Sequence, residues 1–178
     1  MDASTRIALL QMSMSEERAE NLEKVARLAR SAREQGARII ALPELFATPY
    51  FCRRQDRKYL DLAEPVPGPT TQFLGDLAAE LDVVVLGSVF ESVEVGLSYN
   101  TAVVLERDGT LLGRSRKMHI PQYPHYEEKF YFAPGEDTDY PVFATSARTS
   151  AVRGHFRPSA LTFCLLRAFW GAPQSQKA

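Results

Sequence analysis

The chain has 178 residues, 45% of them hydrophobic and 24% charged, which suits one globular domain and excludes a disordered, collagen-like or membrane-spanning chain. No window approaches the run of about 18 apolar residues that a spanning helix needs. Met1–Thr5 has no basic stretch followed by an apolar run of the secretory kind, and the two cysteines, Cys52 and Cys164, are too few for a disulfide scaffold, so a cytoplasmic location is expected.

The net charge of −1 hides an asymmetry, with 16 basic and 22 acidic residues in 1–143 but five basic and no acidic ones in 144–178. Five positive charges interrupted by apolar stretches make a weak nucleic-acid arm, and neither nucleic acid nor membrane is expected as a partner.

The short apolar run Arg6–Met12 reads as a buried strand. Ser13 with Glu16 three residues on fits a capping box, predicting a helix with Leu22, Val25, Ala26, Ala29 and Ala32 on one face and Gly36 at its end. Ala37–Leu42 is the next apolar run, so the first three elements form a βαβ unit with parallel strands. Thr48–Pro69 is loop-rich. Thr70 or Thr71 is expected to cap a second helix carrying Phe73, Leu74, Leu77, Ala78 and Leu81, closed by Asp82 and followed by a strand over Val83–Phe90. Leu97–Glu106 and Thr110–Arg116 flank the turn signal Arg107-Asp108-Gly109 and read as a hairpin. Lys117–Asp139 is an aromatic, proline-containing loop, and Tyr140–Phe143 starts another strand. The expected architecture is α/β with a mixed sheet whose helices cover one face. A second sheet or a partner subunit must then bury the other.

Several residues could carry chemistry. Glu44 follows a strand, where open α/β sheets place their sites, and apolar neighbours would raise its pKa towards that of a general base; the alternative is a solvated loop glutamate. Lys117, after the hairpin, could stabilise an oxyanion or belong to a basic strand end. His119 could be a base or a ligand, but three histidines without paired Cys/His spacing argue against a metal site. Pro124–Phe132 reads as a pocket lip or as a surface loop with aromatic anchors, and at most one of Glu127 and Glu128 is expected to face a pocket. Cys52, beside Arg53 and Arg54, and Cys164, within an apolar run, read as structural cysteines. No phosphate-binding glycine motif is present.

Six segments in order resemble the nitrilase (carbon–nitrogen hydrolase) superfamily, closely its N-carbamoylputrescine amidase branch. They are Arg6–Met12, Ala37–Phe46 with its Pro-Glu-Leu, Leu62–Thr71, Tyr99–Val104, Gly113–Pro121 and Glu128–Gly135. The resemblance implies a four-layer α-β-β-α sandwich, of which residues 5–143 would form the first half. It implies hydrolysis of a small amide or carbamoyl-amine through a covalent cysteine intermediate, without a cofactor or metal, in an enzyme that self-associates. On that pattern Glu44 is the general base, Lys117 the oxyanion stabiliser and Glu128 the second glutamate, with Tyr126 and Phe130 lining the substrate pocket. An acidic, aromatic-lipped pocket suits a cationic carbamoyl-diamine, cleaved to amine, carbon dioxide and ammonia.

The resemblance fades near Phe143. By its spacing the nucleophile should fall near His155, whereas Cys164 stands about nine residues later and lacks the aromatic–Asp pair that follows the family's cysteine. Residues 144–178 therefore read as an atypical basic tail, out-of-frame or alternatively spliced, on a partial hydrolase domain. The expected chain is catalytically incomplete, with Cys164 its remaining candidate nucleophile. The alternative is a non-catalytic pseudoenzyme that binds ligand or pairs with intact subunits.

Overall fold

A computed structural model describes residues 5–136 and 141–151. Strand β1 (Ile7–Leu9), helix α1 (Arg18–Glu34) and strand β2 (Ile39–Ala41) form the expected parallel unit. Helix α2 (Pro69–Leu81) then leads to β3 (Val84–Glu94), again parallel to β2. Strands β4 (Leu97–Leu105) and β5 (Leu111–Arg116) follow as antiparallel neighbours, giving one mixed five-stranded sheet in the order β1-β2-β3-β4-β5. The turn between β4 and β5 places Gly109 at φ 88°, a conformation that glycine adopts without steric cost.

Both helix starts differ from expectation. Helix α1 begins at Arg18, not within a Ser13–Glu16 box. The Ser15 hydroxyl accepts from the Glu17 amide, and the buried Asn21 side chain accepts from Ser15 N and donates to Ser15 O. That amide ties down the entry to the helix more completely than a serine cap could. Helix α2 has Gly68 as its N-cap, and Pro69 takes the first position, where a missing N–H costs nothing. Thr71 lies within the first turn; its hydroxyl accepts from Gly68 N and donates to Gly68 O. Asp82 closes the helix in the left-handed region, at φ 52°.

The sheet's two faces follow the period of two along each strand. Ile40, Val85, Val103 and Leu105 face the helices and join Val25, Ala29, Leu74 and Phe46 in the main core. Gly87 allows this close approach, since a Cβ there would lie 2.7 Å from Leu74 Cδ1. Ile39, Ala41, Val84, Leu86, Ala102 and Val104 form a second cluster on the opposite face. A hairpin of β8 (Val142–Thr145) and β9 (Arg148–Ala151), which follows a short β6–β7 ladder (Gln122–Tyr123 and Tyr126–Glu127), contributes Phe143 and Ala147 to this cluster. The Phe143 ring lies where a Cβ on Gly113 of β5 would be. The hairpin thus spans the expected boundary at residues 143–144. At the sheet edge, Ile7 and Leu9 pair in register with Ile39 and Ala41 on this second face, yet are 36% and 72% exposed.

Candidate active site

The two strand ends anticipated from sequence converge. Leu42 N bonds to Leu86 O, so β2's path continues beside β3 before the chain turns at Pro43-Glu44-Leu45. Leu45 adopts φ 50°, a left-handed conformation that costs a branched residue roughly 1 kcal/mol. Burial of its side chain and donation from its amide to the Ser88 hydroxyl at 2.6 Å hold it there. Glu44 is thereby aimed at the residue that follows β5. Lys117 N donates to Asn100 O, and Gly135 N donates to Lys117 O, fixing the lysine's backbone on both sides.

The Lys117 ammonium lies 2.9 Å from Glu44 Oε1 and 2.7 Å from Glu128 Oε2. The Asn100 amide donates to Glu44 Oε1 at 2.5 Å, and the Tyr50 hydroxyl donates to Glu128 Oε1 at 2.8 Å. Glu128 opens a 3-10 turn (Glu128–Phe130) that turns its side chain inwards, whereas Glu127 stays nearer solvent and accepts from Gln55 and Gln122. This matches the expectation that only one of the adjacent glutamates faces inwards.

The electrostatics follow from burial and the shared charges. Burial alone would pull the Lys117 ammonium down, but Glu44 and Glu128 together outweigh it and hold the lysine above its ordinary value. Burial pushes the Glu128 carboxyl above the usual glutamate range; Lys117 opposes this, the Glu44 charge adds to it, and the Tyr50 hydrogen bond opposes it. Burial and the nearby Glu128 charge push the Tyr50 phenol up, so it remains a donor. A cation held between two carboxylates at the edge of a sheet can stabilise negative charge developing on a carbonyl oxygen, while a carboxylate accepts a proton.

Around this centre aromatic residues from the loops and from β3 form a wall. Phe51, Phe90, Tyr131 and Phe132 pack with ring centroids 4.9 Å apart for Phe51–Tyr131 and 5.0 Å for Phe90–Phe132. Phe130 packs on Tyr131 at 4.9 Å, behind Glu128, while Tyr126 is 39% exposed with its ring 6.0 Å from Tyr50. Cys52 is fully buried in the same cluster. Its thiol is pushed up by burial first, then by Glu128 and Glu44, with only Lys117 opposing. It lies close enough to the cluster to feel its charges. Cys164 and the position of His155 lie outside the described residues. Among the described residues no group of three His, Cys, Asp or Glu side chains is placed to hold a metal ion, and no helix is long and apolar enough to cross a membrane.

Tyr50 and Asn100 are the site residues that sequence reasoning did not single out. Asn100 left a signal, a primary amide inside the apolar run Leu97–Leu105 and only 2% exposed. Tyr50 left none, since an aromatic residue in a proline-containing loop is unremarkable.

These features agree with comparisons to known proteins. The sequence model of the carbon-nitrogen hydrolase family matches residues 6–152. An N-carbamoylputrescine amidase of Solanum lycopersicum is 42% identical over 140 residues, covering 78% of this chain and 46% of that protein. A citrullinase of Francisella tularensis is 34% identical over 169 residues, covering 85% of this chain and 59% of the relative. The crystal structure of a carbon-nitrogen hydrolase from Helicobacter pylori G27 superposes with a TM-score of 0.75 at 36% identity, covering 80% of this chain and 48% of the other. The chain therefore spans about half the length of the proteins it matches. With the family match extending over most of its length and a mixed sheet that converges on a Glu-Lys-Glu cluster, the chain belongs to the carbon–nitrogen hydrolase family, within the nitrilase superfamily.

Proposed function

We propose that the cluster is the acid–base and oxyanion part of a site that hydrolyses a carbamoyl-amine of the N-carbamoylputrescine type. The carrying observation is the Lys117 ammonium bonded to both Glu44 and Glu128. In this reading Glu44 takes the proton from an attacking thiol, then returns it to the leaving amine. Lys117 stabilises the tetrahedral oxyanion, and Glu128 fixes the lysine. Water, deprotonated by Glu44, releases the carbamoyl group from the thiol. The overall balance is carbamoyl-amine plus water giving amine, carbon dioxide and ammonia. The names of the Solanum and Francisella relatives both point to substrates built on a ureido carbon, which supports this substrate class. Tyr126 stands at the rim, where its exposed ring suits a cationic substrate chain; Phe130 backs the wall.

Among the described residues the nucleophile is the part that the cluster lacks. Cys52 is buried and its thiol raised, so it does not supply a thiolate near neutral pH. Cys164 stands about nine residues beyond the position the family resemblance assigns. We therefore expect this chain to bind a carbamoyl-amine without turning it over. The test is calorimetric binding of N-carbamoylputrescine together with ammonia release. Binding that is weakened by Glu44→Gln, with no ammonia above background, is the expected result. Absence of binding overturns the substrate class. Ammonia release that is abolished by Cys164→Ser and retained in Cys52→Ser overturns the inactivity and makes Cys164 the nucleophile.

The exposure of Ile7 and Leu9 on the second sheet face favours a further reading, a non-catalytic partner of intact hydrolase subunits. Titrating an intact carbon–nitrogen hydrolase with this chain should then change that enzyme's sedimentation and activity. Unchanged values of both reject the pairing.

A further inference from the structure

We propose that Asn100 and Tyr50 are positioning residues that give the two glutamates different roles, Asn100 by engaging one oxygen of Glu44 and leaving the other to accept a proton, Tyr50 by helping to occupy both oxygens of Glu128. The inference rests on the acid–base reading of the site given above.

Two carboxylates on one ammonium are chemically alike until their remaining lone pairs are counted. Among the described residues, both hydrogen bonds accepted by Glu44 fall on Oε1, from Asn100 and from Lys117. Glu128 accepts on each oxygen, from Tyr50 on Oε1 and from Lys117 on Oε2. Exposure divides them in the same direction, the Glu44 side chain being 18% exposed and that of Glu128 2%. Oε2 of Glu44 is thus the carboxylate oxygen available to a substrate or thiol, while Glu128 is a fixed counter-ion.

The local fold explains why these two residues can act this way. Asn100 is buried on β4, and its own carbonyl accepts the Lys117 amide, so side chain and backbone set Glu44 against Lys117 from one position. Tyr50 directly precedes the turn Phe51–Arg53 that carries Cys52, and its hydroxyl bonds Oε1 of Glu128, the oxygen that Lys117 does not use. Among the described residues, Lys117 and Tyr50 act on Glu128 together with the Glu44 charge, and both glutamate charges act on the Cys52 thiol.

The test follows the carboxyl carbons of both glutamates by 13C NMR during a pH titration of the full chain, with signals assigned from Glu44→Gln and Glu128→Gln. It needs no turnover, so a chain that never releases ammonia leaves its outcome unaffected. Tyr50→Phe removes one donor to Glu128 and should raise that midpoint by about one pH unit, leaving Glu44 nearly unmoved. Asn100→Leu, which keeps the amide's shape, should do the reverse, and Asn100→Ser serves if the leucine variant does not fold. A merely structural role would move both midpoints together through loosened packing. A variant that shifts both glutamates equally, or neither, overturns the proposal.

Discussion

The carboxylates of Glu44 and Glu128 meet on one ammonium, that of Lys117, at 2.9 and 2.7 Å. They reach it from the turn after β2 and from the 3-10 turn after β7. The cluster holds one cation and two groups that become anions, so its energy depends on pH, and the lysine is what allows both carboxylates to lie together.

Replacing Lys117 with Met keeps the stem and removes the charge. Glu128 is held above the ordinary glutamate range even with the lysine present, chiefly by burial, so without it the carboxyl should be harder still to ionise. A group whose folded pKa is raised contributes stability in full below its unfolded value and loses it as pH rises through the folded one. Lys117→Met should therefore cost roughly 3 kcal/mol above neutral pH, where a buried charge lacks its partner, and much less in mild acid. Urea unfolding at pH 5 and at pH 8 gives the comparison. An equal loss at both would mean that Lys117 acts through packing.

Glu91 is a further buried carboxylate, and its pH dependence runs the opposite way to that of Glu128. It lies on β3, is 1% exposed, and accepts from Thr101 on β4 and from Arg114 and Arg116 on β5. Burial would raise its carboxyl, but the bonds from Arg116 and Thr101 and the charge of Arg114 outweigh burial and hold it below the ordinary range. Its contribution is accordingly present above the unfolded pKa and lost as pH falls through the folded one. Glu91→Gln should lose about 2 kcal/mol near neutral pH, as expected for hydrogen bonds to a charged group, with a smaller difference in acid. Thermal unfolding across pH 3 to 7 measures it, as a curve for the variant that is flatter than that of the wild type. Because Arg116 immediately precedes Lys117, and its guanidinium lies 4.0 Å from the Tyr99 ring centroid, this network also fixes the strand end that presents the lysine.

The βαβ unit was legible in the sequence because its strands fall on the short apolar runs Arg6–Met12 and Ala37–Leu42, and the β4–β5 hairpin because Arg107-Asp108-Gly109 marks its turn. Glu44 was singled out because it stands just beyond the apolar run Ala37–Leu42, and Lys117 because it follows the hairpin. What was not legible depends on side-chain partners outside the local pattern. Ser13 and Glu16 satisfy a local capping pattern, yet the side chain of Asn21, within the helix itself, determines where α1 begins. Glu91 reads locally as the polar end of a strand, and only the β3–β4–β5 register brings two arginines and a threonine to it. Tyr50 is a loop tyrosine until the turn at Glu128 is in place. In each case the deciding hydrogen bond has a partner that no spacing rule supplies.

Among the described residues the sheet's second face stays partly uncovered at β1. In the register Leu9–Ala41–Leu86, Leu9 is 72% exposed whereas Ala41 and Leu86 are buried. Ile7, in line with Ile39 and Val84, is 36% exposed beside it. The β8–β9 hairpin brings Phe143 and Ala147 to this face, and the Thr5 hydroxyl bonds to Ala147 O, but this leaves the β1 edge open. Exposed apolar side chains arranged along an edge strand favour association with another surface. Leu9→Asp should therefore lower concentration-dependent self-association in sedimentation velocity. Since Leu9 buries little, the unfolding free energy should stay within about 0.5 kcal/mol. If association persists in the variant at equal stability, the contact lies elsewhere, and the helix-covered face becomes the surface to test. If stability falls by several kcal/mol, Leu9 is buried in solution, and the second face is covered by more of the chain than the hairpin.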